Sequence, residues 1–332
     1  MVAESPTIRT FGQTFMSIVM MLSSSPNRCN SSNTTVGQCL ANLTPRLVNT
    51  WSSLKVETDG YIDPPRNVRA YSLAMERAGV ELRERTSFTG LRTETAPGGA
   101  IRVVGVETSA GPIATTRVIL TGGPGLRDVG ALAGMRIPAG AVRHTVAVLE
   151  PHEAFALERA PMVFDIGAGL YWRLEEGGLL FGWSDPNDRP GEARAIDWTM
   201  YDAMRERLAG FVPATAGLGL RRIWAATIDF TPDHLPIVGP GLTAAGERID
   251  GVTVASAGGH GMMWGPGVAR VAADLAIHGR TDLIDVTDLG LDRFDADGRS
   301  RLATDPIALP FPVGPDDATP DRPARDASIA GR

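Results

Sequence analysis

Apolar and polar positions fall into recognisable periods from Asp59 onward. Asp63 followed by Pro64 and Pro65 marks a helix start, because a carboxylate accepts from free N–H groups and proline suits a first turn. Val68, Tyr71, Met75 and Ala78 recur at helical spacing. They predict a helix that runs through Ala78, stops at Gly79 and turns this row toward a core. Val80–Leu82 reads as a strand. Ile101–Glu107 and Gly111–Leu120 read as a hairpin-like pair ending in Thr121-Gly122-Gly123. Residues 142–149 alternate as a strand. Met162–Ile166, Leu170–Leu174 and Leu179–Trp183 predict antiparallel strands, with turns at Gly167-Ala168-Gly169 and Glu176-Gly177-Gly178. Trp198–Phe211 predicts an amphipathic helix, Arg221–Asp229 a strand and Pro266–Gly279 a last helix.

Between those last two elements the pattern changes character. Gly251–Ala255 reads as a strand that feeds Ser256-Ala257-Gly258-Gly259-His260-Gly261-Met262-Met263-Trp264 and then the apolar helix. A glycine-rich turn between strand and helix lets bare backbone lie against a planar or anionic ligand, and the free N–H groups of the helix start point at it. A tight turn with no ligand satisfies the same pattern equally well.

Residues 1–56 follow no such periods. Serine, threonine and asparagine cluster there, with both cysteines, Cys29 and Cys39. Asn30-Ser31-Ser32, Asn33-Thr34-Thr35 and Asn42-Leu43-Thr44 match the glycosylation pattern, which such a composition also generates by chance. The contrast with the rest predicts a misread or recombined start joined near Val56. Phe15–Leu22 is a short apolar stretch with a feeble resemblance to a signal peptide; no run reaches the length of a membrane span. A cytoplasmic location is the expectation. Beyond Asp297 the chain is rich in Pro, Asp, Arg and Ala, and residues 313–332 read as a disordered tail.

Composition narrows the class. The chain has 332 residues, 43% hydrophobic and 21% charged, as a soluble globular protein of two domains would. A net charge of −6 argues against a general nucleic-acid-binding surface. The cysteines have no histidine near them and give no metal signature.

Several blocks in one order carry a family resemblance. Asp59-Gly60-Tyr61-Ile62-Asp63-Pro64 resembles a "DGYVDP" block, Arg117–Gly123 a "VVLATG" strand, and Gly169-Leu170-Tyr171-Trp172-Arg173 a "GLYFR" strand followed by Leu180-Phe181-Gly182. Phe230-Thr231-Pro232-Asp233-His234-Leu235-Pro236-Ile237-Val238-Gly239-Pro240 and the glycine turn complete the set. Over roughly residues 57–285 the chain resembles the D-amino-acid oxidase and sarcosine oxidase-like family of FAD-dependent oxidoreductases. That family opens with a βαβ unit carrying Gly-x-Gly-x-x-Gly, which seats the FAD pyrophosphate. No such motif occurs anywhere in residues 1–332.

The resemblance implies an α/β (α+β) fold. A discontinuous FAD-binding domain, residues 57–128 and 223–285 and N-terminally incomplete, would carry an inserted antiparallel β-rich substrate domain, residues 129–222. Residues 286–332 would be a C-terminal extension. Non-covalent FAD is implied, held by Gly258, Gly259, His260, Gly261 and Met262 with Gly122 and Gly123; no cysteine in this region is available for a covalent link. His260 would donate a hydrogen bond to flavin or substrate. Asp233 and Pro236 would shape their loop, and His234 would lie at the surface. If the substrate is an amino acid, its carboxylate needs a cation. Arg173 is the first candidate, with Tyr171 on the same strand face, and Arg221 or Arg222 the second. The implied reaction oxidises the C–N bond of an amino acid or secondary amine to an imine. The alternative is a flavoenzyme remnant or partner-binding subunit that holds no FAD alone, its missing strand supplied by a homo- or hetero-oligomeric partner.

Overall fold

A computed structural model of the chain describes residues 18–21, 53–56, 62–156, 160–165, 169–183 and 195–302. The cysteines, the three Asn-x-Ser/Thr triplets, Gly167-Ala168 and the 313–332 tail lie outside these residues. In chain order the elements are β1 (Ile18–Met21), β2 (Ser53–Val56), α1 (Pro64–Arg77), β3 (Phe88–Thr95), β4 (Ile101–Thr108), β5 (Ile113–Ala114), β6 (Val118–Leu120), α2 (Leu126–Leu132) and β7 (Gly140–Leu149). Then come β8 (Met162–Asp165), β9 (Leu170–Glu175), β10 (Gly178–Trp183), α3 (Trp198–Phe211), β11 (Leu220–Phe230), β12 (Ile237–Leu242), β13 (Arg248–Ser256) and α4 (Gly261–His278). The described residues fall into two compact units: one within Met1–Val80, Thr145–Asp185 and Ala195–Trp224, the other within Glu81–His144 and from Ala225 on.

The first unit is built on a sheet ordered β11-β7-β10-β9-β8-β1-β2. Period-2 alternation in β9 buries Leu170, Trp172 and Leu174 and sends Tyr171, Arg173 and Glu175 to the other face. Those buried residues meet Tyr201, Met204 and Leu208 of α3, and Trp172 stacks on Phe211 with centroids 5.5 Å apart. Burying side chains of this size stabilises by about 1.5–3 kcal/mol each. Asp197 caps α3, its Oδ1 accepting from the Met200 N–H at 3.0 Å.

Helix α1 forms as its sequence predicts but does not bury its apolar row. Asp63 Oδ1 accepts from the Arg66 N–H at 3.0 Å, and Gly79, at φ +78°, closes the C-terminus. Val68 is nevertheless 57% exposed and Tyr71 50%. Cap and proline are local signals, whereas burial needs a partner, and no described residue covers this face. Val80 and Leu82, predicted as a strand, are exposed and unpaired in any sheet.

The second unit carries a sheet ordered β12-β13-β4-β3, with β5 on β4 and β6 on β13. Strand β6 runs parallel to β13, with Val118, Ile119 and Leu120 opposite Val252, Thr253 and Val254. The single long strand predicted over Gly111–Leu120 is therefore two. Residues 113–114 pair with β4, Thr115 Oγ1 donates to the Arg117 carbonyl at 3.0 Å, and the chain then joins β13. Val103, Leu120, Leu126, Ile137, Ile237, Ile249, Val252 and Val254 form the core, and Phe88 packs at its edge. Helix α4 lays Val271 and Ala272 on Val238 and Ala255. It begins at Gly261, earlier than predicted, and carries Pro266 inside it. Leu291 and Arg293 are buried in this unit, so the chain beyond Asp285 is part of its body as far as the structure describes it.

Candidate cofactor and substrate site

Parallel pairing fixes which turns lie together. Because β6 and β13 run side by side in one direction, Thr121-Gly122-Gly123 and Ala257-Gly258-Gly259 leave the same end of the sheet. The carboxyl ends of neighbouring parallel strands are where open α/β sheets place ligands. Both turns stand out in the sequence, and the structure brings them to one edge. Gly123, Gly258 and Gly259 have φ of +53°, +58° and +94°, a region that side chains other than glycine enter at a cost.

The glycines differ in what they face. A Cβ on Gly258 would stand 2.7 Å from the Leu235 carbonyl oxygen, and one on Gly259 2.7 Å from the Phe230 ring. These two let the turn pack against the segment after β11. A Cβ on Gly123, Gly125, Gly261 or Gly265 would meet nothing within 4 Å. Those positions present backbone to open space, as a cradle for a large planar group requires. The helix start at Gly261 directs its free N–H groups and positive dipole end to that side.

Side chains brace the turn from below. Ser256 Oγ donates to Asp229 Oδ2 at 2.8 Å and accepts from the Gly258 N–H at 3.1 Å. His260 Nδ1 lies 3.1 Å from the Gly258 carbonyl. A carbonyl oxygen only accepts, so Nδ1 carries the hydrogen. The ring stacks on Trp264, one helical turn on, at 4.1 Å and 25°. Met263 is 69% exposed beside it.

The preceding turn is buried. Asp233 is 1% exposed and accepts from Arg293 Nε at 2.7 Å and Nη2 at 3.0 Å. Burial alone raises the Asp233 carboxyl, but hydrogen bonds from Arg293, Ser300 and the Leu235 N–H, with the Arg293 charge, outweigh it and hold the group below the usual carboxylate range. His234, expected at the surface, is buried: at φ +58° its ring folds inward, edge-on to Phe230 at 5.5 Å.

The predicted substrate arginines are engaged elsewhere. Arg173 pairs with Glu175, two residues along the same face of β9, and donates to the Leu174 carbonyl at 3.0 Å. Arg221 pairs with Glu176 at 2.8 Å, and Arg222 reaches Glu175 at 3.6 Å. These geometries are those of structural ion pairs. Tyr171 lies against Phe164 at 5.5 Å; burial pushes its phenol well above the usual range, against the opposing pull of the Arg173 charge. A cleft of about 680 Å³ lies away from the glycine turns, at the start of β13 and the end of α4. Its Arg248 pairs with Asp250 at 3.1 Å and its Arg102 with Glu94.

Comparison with known proteins gives this geometry a family. The sequence model of the FAD dependent oxidoreductase (DAO) family matches residues 37–275. The chain belongs to that family. It is 30% identical over 241 residues to the mitochondrial sarcosine dehydrogenase of Homo sapiens, covering 70% of this chain and 26% of that protein. It is 28% identical over 259 residues to 4-methylaminobutanoate oxidase (formaldehyde-forming) of Paenarthrobacter nicotinovorans, covering 75% and 30%. The chain thus spans between a quarter and a third of these relatives' lengths. Among solved structures it resembles the L-proline dehydrogenase of P. horikoshii, with a TM-score of 0.66 and 20% identity over 81% of this chain and 74% of that one. This establishes the fold: mixed α/β with an antiparallel sheet.

FAD is the cofactor of this family, and open backbone at the turn glycines is compatible with a bound planar group. Bare backbone at Gly123, Gly261 and Gly265 leaves the room that a Cβ would fill. Phe230, Ser256 and Trp264 stand inside the sequence motifs but carried no assigned role there, and Asp229 and Arg293 were not site candidates. Trp264, four residues after His260, had a readable signal in helical spacing; Arg293 had none. Among the described residues no group of three His, Cys, Asp or Glu side chains is placed to hold a metal, and no helix is long and apolar enough to cross a membrane.

Proposed function

We propose that the chain oxidises the C–N bond of a secondary amine or amino acid, N-methyl amino acids foremost, with FAD held without a covalent link at the two glycine turns. The observation that carries this reading is the pair of positive-φ glycine turns at one end of the parallel strands β6 and β13, beside the start of an 18-residue helix. Family membership and the substrates in the relatives' names, sarcosine and 4-methylaminobutanoate, support the amine class. The match over most of the chain favours this reading over a non-catalytic remnant.

Bound FAD supplies the two-electron acceptor. The remaining work falls to the protein. Gly258–Met262 and Gly122–Gly123 would hold FAD through their backbone, and the N–H groups at the start of α4 would favour negative charge beside them. His260 offers its Nε2 edge while Nδ1 is held by the Gly258 carbonyl. In the substrate, a C–H bond next to nitrogen breaks, its electron pair leaves with the hydrogen, and the nitrogen lone pair forms the C=N bond. Water then adds to the C=N bond and releases a carbonyl compound and an amine, an aldehyde where an N-methyl group was oxidised. Because Arg173, Arg221 and Arg222 are paired, recognition of a substrate carboxylate is not assigned to them.

Anaerobic addition of sarcosine, 4-methylaminobutanoate or D-alanine to the FAD-loaded chain tests this. Bleaching of the flavin band by one of the N-methyl compounds is expected. A flavin that stays oxidised with all three would overturn the substrate class.

A further inference from the structure

Arg293 lies past the span that the family model matches and in a stretch with no periodic signal. Its guanidinium is fully buried, and its five donors meet five acceptors. Nε and Nη2 form the fork on Asp233. Nη2 also donates to the Leu235 carbonyl at 3.1 Å, and Nη1 to the carbonyls of Leu289 at 2.8 Å and Gly290 at 3.4 Å. The contacts continue toward the glycine turn. The Leu235 carbonyl also accepts from Thr231 Oγ1 at 2.7 Å and is the atom that a Cβ on Gly258 would strike. The Leu235 N–H donates back to Asp233 Oδ1 at 3.1 Å. A single cation thus ties the segment after α4 to the residues on which Gly258 rests.

We propose that Arg293 is a positioning residue for the flavin-facing turn: its fork fixes Asp233 and the Leu235 carbonyl, and these set where Gly258 and Gly259 stand. The cofactor part of this statement rests on the function proposed above. Planarity matters here, because five donors in a rigid plane match five fixed acceptors and a lysine ammonium offers three donors from one point. A buried ion pair that only stabilised the fold would be replaceable by packed apolar side chains with little effect on the turn.

Hydrogen exchange by mass spectrometry on the full chain, with and without FAD, separates the two roles. The variants are Arg293→Lys, the double variant Asp233→Leu/Arg293→Met, and Thr231→Val, which removes one hydrogen bond to the Leu235 carbonyl and leaves the ion pair. Residues 257–261 are expected to exchange at least tenfold faster in the first two and severalfold faster in the third, while 178–183 of the other unit keep their wild-type rates. In those variants that retain FAD, the flavin band should shift from its wild-type position. Wild-type exchange at 257–261 in a folded double variant, or in Thr231→Val, would overturn the proposal. Failure of the wild-type chain to retain FAD would instead strike the flavin reading and leave the exchange result to judge whether Arg293 positions the turn.

Discussion

Gly259 shows how tightly the turn is specified. Its φ of +94° and the Phe230 ring 2.7 Å from a would-be Cβ leave no route for a side chain. Gly259→Ala should destabilise the chain by about 1–3 kcal/mol, read from the urea midpoint, and weaken FAD retention more than tenfold. Wild-type retention in a folded variant would mean that the turn does not seat the cofactor. His144 provides a residue-scale pH effect. Burial pushes its imidazole down to about 4, whereas the unfolded imidazole titrates near 6.5. Between these values the unfolded chain binds the proton more readily. Stability present above about pH 6.5 is therefore lost as pH falls toward 4, by up to roughly 1.4 kcal/mol per unit. His144→Asn should flatten that part of a denaturant-midpoint profile; an unchanged slope would assign the loss to other groups. At this scale the sequence was readable where a residue type has one use. Glycines in a strand-to-helix turn were such a case for the backbone, since positive φ is what Gly258 and Gly259 supply. Arg173 was not, since an arginine on a half-buried face serves a substrate or a neighbouring glutamate equally well, and Glu175 claims it. The Arg293–Asp233 pair joins positions sixty residues apart, and nothing local announces it.

Elements were legible in proportion to how local their causes are. Trp198–Phe211 has matching bounds in sequence and structure because a capping aspartate, a helical period and a following proline all act within the segment. Helix α1 formed for the same reasons, yet its apolar row is exposed, because periodicity reports which face is apolar and not whether anything covers it. The substitutions Val68→Lys, Tyr71→Glu and Met75→Lys, made singly, should each change stability by no more than about 0.5 kcal/mol. A larger loss in thermal melts would show that this face is covered in solution. The divided strand at Gly111–Leu120 went unread because its second half takes a partner, β13, more than a hundred residues away. The early start of α4 was hidden by Pro266, whose usual place is a first turn.

On the scale of the whole molecule, the fold class followed from the order of blocks and was established by comparison. The two compact units divide near Trp224; among the described residues the second holds Glu81–His144 and the chain from Ala225 on, past Asp285. That forward reach comes from Arg293 and Leu291, which are buried there. On the proposed function, the two glycine turns at the end of β6 and β13 seat a flavin although residues 1–332 contain no Gly-x-Gly-x-x-Gly. The visible absorption spectrum of the purified chain, taken after incubation with FAD and removal of the free cofactor, tests this most directly. A stoichiometric flavin band, lost in Gly259→Ala, is the predicted result. A colourless protein with the circular dichroism of a folded chain would contradict it.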